Sequence, residues 1–398
     1  MVDTRLPDHE VPGSVVASLI GLLMLGLVDN QILSPILPEI ASSFAVDVAR
    51  VGLTVSGYAL AAALAALVVG PLSDRGRRRP FLIAAGVTFG LASLAAFFSG
   101  SFSTFAAARI LAGASAGVIS ALVVASIADR VPYQRRGRAM GWVASAYFAA
   151  PILGVPVGSL LADLYGWRTL YILFAGAAVG LAAVMLVWYA DSHEKHEAEP
   201  RSWASATLGK YSGFLKNKVT LAGALSAFFV SGGITSFVTY LGAYLSGEFG
   251  LSTTAIGMVF LLSGGASLAG ALTAGRLSDR LGKRAVAFWG SLALAIVILV
   301  VPALGGGISL YLGLGVVGLA AASRVAPLQS LVTELVSRQT RGAYVALRNT
   351  LSQLGIAVSA AAGASLFAVK GYGAVCILAA TFSLVAALLL LWVEEPGS

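Results

Sequence analysis

The chain has 398 residues, of which 58% are hydrophobic and only 11% charged. Soluble domains carry about 25% charged residues, so the composition excludes a soluble enzyme or scaffold and indicates an integral membrane protein. The net charge of +8 comes from basic residues in short stretches between apolar runs, a pattern that reports topology and not a nucleic-acid partner.

Twelve apolar runs of spanning length follow one another, at about 14–39, 50–72, 80–100, 103–127, 138–163, 167–190, 218–246, 252–277, 284–304, 308–334, 342–368 and 372–393. Each is long enough to cross a bilayer as a helix of ~20 residues, and none shows the period-two alternation of a membrane strand. The predicted fold class is therefore all-α integral membrane. Met1 to Gly13 is polar with three acids and lacks the basic start of a signal peptide, so the first run is expected to be retained.

The first run carries the most informative side chain. Asp29 lies near its middle, where a carboxylate costs about 3 kcal/mol or more unless it is paired, protonated or wet. No other Asp or Glu lies so deep in an apolar run. An acid that can alternate between charged and neutral inside a membrane suits proton coupling; the plainer alternative is an Asp neutralised permanently by a neighbouring helix.

The loops alternate in charge. Those after the even-numbered runs, with the N-terminal tail, hold 20 Lys and Arg, whereas the other side holds Arg50, Arg168 and Lys370. Both termini are thus expected in the cytoplasm. Residues 191–217 are the one long polar segment. Its His193 and His196 lack patterned partners, so a solvated linker is expected there and no metal site. The lone Cys376 forms no internal disulfide.

An internal repeat organises the whole. Gly70-Pro71-Leu72-Ser73-Asp74-Arg75 recurs 205 residues later as Gly275-Arg276-Leu277-Ser278-Asp279-Arg280. At the same offset Phe44 and Gly52 recur as Phe249 and Gly257, and Asp129, Arg136 and Gly137 as Glu334, Arg341 and Gly342. The expected domains are a six-helix bundle over 1–190, the linker over 191–217 and a second six-helix bundle over 218–398. Such parallel repeats belong to one known architecture of secondary transporters.

At these residues the chain resembles the major facilitator superfamily. Gly275 to Arg284 fits that family's motif between the second and third helices of a bundle, while the copy from Gly70 to Arg79 departs in its later glycine, which falls at Gly76. Asp74 and Asp279 are expected to face a helix N-terminus, and Arg75 and Arg280 to pair with Asp129 and Glu334 as cytoplasmic gates. Arg109, Gly113 and Gly117 on helix four resemble the R-x-x-x-G motif, whose Arg serves proton coupling. Pro151, Gly154, Pro156 and Gly158 on helix five resemble an altered antiporter motif, in the form of the arabinose- and purine-efflux branch of the twelve-helix drug:proton antiporters. Proline and glycine there suit a bending gate helix.

Polar residues inside the runs complete the candidates. Asp29 and Arg109 are the expected coupling pair, with snorkelling of Arg109 towards the periplasm as the alternative. Asn30, Thr235, Thr239, Arg324, Arg348, Asn349 and Gln353 are the candidate substrate cavity, although Arg348 is placed so that it can also snorkel. An uncompensated Arg324 near the midplane leads to the expectation of a neutral polar or anionic substrate. The resemblance thus implies a monomeric, proton-coupled efflux antiporter of the bacterial inner membrane, without a cofactor and not an enzyme. An uptake symporter or facilitator of the same fold is the first alternative, and a lipid-modifying enzyme or receptor the second.

Overall fold

A computed structural model describes residues 13–73, 78–130, 133–188, 212–337, 340–393 and 395; at 70–71, 128–130, 133–137 and 188 it describes the backbone only. Among the described residues the fold is all helical, with twelve helices long and apolar enough to cross a membrane. Helix α1 (Gly13–Gln31) continues as Leu33–Ser43. It is followed by α2 (Val48–Ser73), α3 (Arg78–Phe97), α4 (Phe102–Arg130), α5 (Tyr133–Ala149, continuing as Val155–Tyr165) and α6 (Arg168–Trp188). The second set is α7 (Lys218–Phe249), α8 (Thr253–Leu281), α9 (Lys283–Val300), α10 (Ile308–Ser323, continuing as Val325–Glu334), α11 (Arg341–Lys370) and α12 (Tyr372–Leu390). The linker expected at 191–217 lies almost wholly outside the described residues.

Three helices are interrupted, and each break lies beside proline. Proline has no N–H to give to the carbonyl four residues earlier, so Pro35 leaves the Gln31 carbonyl without its helical partner and α1 breaks at Ile32. Pro151 lies within the wide π turn of Ala150–Gly154 in α5, and Pro156 follows it. Pro327 does the same for Ser323, where α10 breaks at Arg324.

The repeat read from the sequence reappears in contacts. Arg79 Nη2 donates to the Leu186 carbonyl at 2.5 Å, and Arg284 Nη2 donates to the Leu391 carbonyl at 2.9 Å, so both residues of each pair are shifted by the same offset. Each tie fastens the start of a bundle's third helix to the end of its sixth. Gly113 of α4 lies so close to the backbone of Tyr58 on α2 that a Cβ would overlap it; Gly318 of α10 stands in the same relation to Ser263 of α8. Small residues allow such close approach in a bilayer, where packing replaces the hydrophobic effect as the force between helices. The turns that open α6 and α12 also match, since Gly166 (φ 82°) and Gly371 (φ 73°) take backbone angles that only glycine adopts readily.

The first six and last six helices meet chiefly along three pairs, α1 with α7, α2 with α11 and α5 with α8, with smaller contacts of α1 with α8 and α2 with α7. The last two of the three main pairs exchange under the repeat, as expected of a twofold axis along the membrane normal. Among the described residues four hydrogen bonds cross between the halves. Ser34 Oγ donates to the Val238 carbonyl at 2.5 Å and accepts from Gly242 N at 3.1 Å. Thr253 donates to Glu39, and Thr254 Oγ1 donates to Asp163 Oδ2 at 2.6 Å. All four lie towards the face opposite the chain ends, and an aromatic cluster of Phe44, Phe105, Trp167 and Tyr171 sits at that same face. The bundle is therefore closed on that side.

Replacing Gly113 with Val should cost about 1–3 kcal/mol through overpacking against the α2 backbone. The cost should be seen as a lower unfolding temperature in detergent. Gly265→Ala, whose Cβ meets only open space, should not lower that temperature.

Candidate functional site: a buried ion pair beside an uncharged cavity

Asp29 lies just before the break in α1, and Arg109 in the second turn of α4. Both side chains are 1% exposed, and Arg109 Nη1 donates to Asp29 Oδ1. Arg109 therefore does not snorkel. The aromatic ring of Tyr58, from α2, faces the guanidinium with its centroid 4.7 Å from Cζ, and the Tyr58 hydroxyl donates to the Gly26 carbonyl at 3.3 Å. Tyr171 of α6 stands beside the pair. Asp29 Oδ2, Arg109 Nε and Nη2 and the Tyr171 hydroxyl make no hydrogen bond of good geometry. Tyr58 and Tyr171 had given no sequence signal; each is one aromatic among many in the apolar runs.

Each charge is tolerable here only because of the other. An isolated ion at this depth is costly, and removing one member of a buried pair strands its partner. Tyr58 supplements the bond, since a cation over an aromatic face is attracted to its negative quadrupole. The carboxylate can accept a proton, whereas the guanidinium keeps its charge. The arrangement is chemically a proton acceptor with a fixed counter-charge.

The helix-five motif packs against the segment that carries Asp29. A Cβ on Gly154 would strike Val28, and one on Gly158 would strike Ile32. From the other half, Gly264 of α8 approaches Pro151 and Ile152, while Gly257 approaches Pro156 and Ser159. The π turn is thus held between the α1 break and α8.

Next to Asp29 along α1, a cavity of about 270 Å³ opens between the halves. The expected Asn30, Thr235 and Thr239 line it, together with Gln31, Ser34 and the apolar Leu33, Val55, Ile234 and Val238. A second cavity of about 150 Å³ adjoins it through Gln31, Ile234 and Val238 and runs between α8 and α10 past Phe237, Phe260 and Leu314. Sequence reasoning had missed Gln31 and this apolar extension. Gln31 was legible as the neighbour of Asn30, but the extension is formed by residues indistinguishable from core.

Four cavity candidates are corrected. Arg324 is 1% exposed and lines neither cavity; it is buried in the second half, where its Nη2 donates to the Val230 carbonyl at 3.1 Å and Gly290 packs against its backbone and Cβ. Its Nε and Nη1 are buried without a hydrogen-bond partner among the described residues. Arg348 lines neither cavity, and its Nε donates to the Gly223 carbonyl at 3.2 Å and ties α11 to α7. Asn349 is exposed and Gln353 half-buried, and neither lines a cavity.

The gating motifs are seen only in part. Asp74 and Arg75 lie outside the described residues, Gly70, Asp129 and Arg136 are described in backbone only, and Gly275 has open space where a Cβ would stand. In the second copy Asp279 and Arg280 are exposed, and Glu334 pairs instead with Lys283, Nζ to Oε1, at 2.7 Å. Gly282 reverses the chain between Arg280 and Lys283 (φ 89°), which brings Lys283 towards α10 and leaves Arg280 at the end of α8. The Lys283 backbone N–H also donates to Glu395 Oε1 at 2.6 Å, and Arg341 Nε donates to the Thr333 carbonyl at 3.0 Å.

A twofold-repeated bundle of twelve helices, closed at one face around a cavity and a buried ion pair, defines a secondary transporter. The family model described as Major Facilitator Superfamily matches residues 19–252 and again 223–398, and the chain belongs to that family. It is 25% identical to the uncharacterized MFS-type transporter YwfA of Bacillus subtilis over 89% of this chain and 86% of that protein. It is 30% identical to a chloramphenicol resistance protein of Streptomyces lividans over 66% of each chain. It is also 28% identical to multidrug resistance protein D of Escherichia coli, over 66% of this chain and 65% of that one. Among solved structures, a D-xylose–proton symporter superposes with a TM-score of 0.80 at 19% identity, covering 97% of this chain and 98% of that one. That likeness is one of fold.

Arg109→Ala leaves Asp29 buried without its counter-charge and should cost about 3–5 kcal/mol. The double variant Asp29→Asn/Arg109→Gln should unfold at a higher temperature than Arg109→Ala alone. Thermal unfolding of the two in the same detergent checks the order.

Proposed function

We propose that this transporter is a proton-coupled antiporter that exports a small organic molecule by alternating access, with Asp29 as the coupling acid. One observation carries the reading: Asp29 is the sole buried carboxylate among the described residues, and it adjoins the cavity through Asn30.

The cycle follows from charge. With the cavity open outward, a proton neutralises Asp29 and weakens its bond to Arg109, and substrate leaves. The protonated carrier reorients. On the inner side substrate binding favours the ionised pair, and the proton is released. Coupling requires only that proton and substrate each change the other's affinity, which is reciprocal by thermodynamic necessity. The α5 π turn, held between the α1 break and α8, is placed to convey a change at Asp29 to the seam between the halves. The distribution of basic residues supports chain ends on the cytoplasmic side, and the bacterial relatives favour an inner membrane. The closed face is then the outer one, and opening it must break the Ser34, Glu39 and Asp163 contacts.

Export is favoured over uptake by the Pro/Gly pattern of α5 and by the drug-resistance names of the relatives. The test uses inverted membrane vesicles with an imposed proton gradient and a panel of antibacterial compounds that includes chloramphenicol. Substrate addition should release protons through the wild type, whereas Asp29→Asn, at equal membrane abundance, should show none. Undiminished proton-coupled transport by Asp29→Asn would overturn the reading.

A further inference from the structure

We propose that the transported molecule is an uncharged amphiphile, its hydrogen-bonding head held by Asn30, Gln31, Thr235 and Thr239 and its apolar body lying along Phe237 and Phe260. The inference rests on the transport reading above and adds to it the chemical class of the cargo.

Charge comes first. Among the described residues the buried ionisable side chains of Asp, Glu, Lys, Arg and His are Asp29, Arg109 and Arg324. The first two neutralise each other, and the third is bonded to the Val230 carbonyl and lines neither cavity. No charged side chain lines either cavity. An ion entering this space would lose its hydration with no counter-charge to replace it, a penalty that neutral molecules escape.

Hydrogen-bonding capacity comes second. A hydroxyl in a membrane helix ordinarily satisfies itself on its own backbone. This chain follows that habit widely, as Ser18, Ser93, Ser115, Thr273 and Thr381 each donate to the carbonyl four residues back. Among the described residues Thr235 and Thr239, one turn apart on α7, make no such bond. The carboxamides of Asn30 and Gln31 likewise have no hydrogen-bond partner among the described residues, and Pro35 deprives the Gln31 carbonyl of its helical donor. Donors and acceptors of both kinds therefore converge from both halves on one cavity. They match a hydroxyl, amide or similar neutral polar group.

Shape comes third. The adjoining pocket between α8 and α10 is bordered mainly by apolar side chains, and its Ser267 hydroxyl is already bonded to the Ser263 and Gly318 carbonyls. The space therefore suits a ring or short chain attached to the polar head.

The test reconstitutes the full-length protein in proteoliposomes with a series of aromatic compounds that share one body. Their heads are an amide-alcohol, a carboxylate and a trimethylammonium. Uptake into vesicles under a proton gradient is followed alongside internal pH. The amide-alcohol should be transported at least tenfold faster than either ion. Thr235→Val and Asn30→Leu should each raise its KM about three- to tenfold, the loss expected for one hydrogen bond, while Arg324→Ala should leave the preference for the neutral head intact. Because exchange of an uncharged molecule for protons moves net charge, a membrane potential alone should also drive its transport.

Transport of either ion as fast as the neutral compound, or of none of the series, overturns the inference; so does an unchanged KM in the Thr235→Val/Thr239→Val pair. If an ionic member is carried with Asp29-dependent proton movement, antiport stands and the cargo class is wrong. If the neutral member is carried with no proton movement by the wild type, the cargo class stands and proton antiport is wrong.

Discussion

A carboxylate and a guanidinium bonded to each other in a space closed to solvent set the terms for the surrounding structure. Neither Asp29 nor Arg109 is stable there alone, so α1 and α4 must keep their mutual position for the fold to persist. Tyr58 fixes the same guanidinium from α2, and the glycine at 113 brings α2 and α4 close enough for that ring to reach it. Three helices are thus coupled through one side chain. Protonating Asp29 changes a single charge but loosens the contact that holds α1 against α4, which is how a local event acquires a distant consequence.

Around this pair, backbone irregularity is concentrated where the two halves meet. Proline interrupts α1 one residue beyond the Asn30 and Gln31 carboxamides and loosens α5 directly opposite. Irregular backbone at membrane depth is tolerated only where protein or a wet cavity surrounds it, and both breaks satisfy that condition. The second half answers with glycines at 257 and 264, so where α5 meets α8 the seam consists of small residues and helix breaks, whereas Tyr240 of α7 packs on Gly52 of α2. At the closed face the halves are joined by hydrogen bonds from Ser34, Thr253 and Thr254, each modest in net free energy.

The two halves share a scaffold but differ in their buried charge. Both use the same arginine tie from their third helix to their sixth and the same close glycine contact between their second and fourth. At the position where the first half places Arg109 the second has Leu314, and at the position of Asp29 it has Ile234. The first half holds the ion pair, whereas the second contributes Ile234 and Leu314 to the cavity walls. The same framework thus supports two different environments on either side of one seam.

Composition and order along the chain were enough to establish membrane insertion, the number of spans, the repeat and the prominence of Asp29. Each follows from local physics: hydropathy over ~20 residues decides insertion, and a lone mid-span acid is conspicuous wherever it points. Arg109 was legible as its partner because so few ionisable residues are buried. Direction was not legible. Arg324 looked like a cavity cation from its depth, but it is bonded to the Val230 carbonyl and lines neither cavity. Glu334 was expected beside Arg280, but the reversal at Gly282 brings Lys283 to it instead. The apolar pocket past Phe260 carried no signal at all, since its lining has the composition of any helix interior. One dimension determined what crosses the membrane and what it costs to bury; the rotation of each helix about its axis, fixed only when all twelve pack together, decided which buried groups face one another.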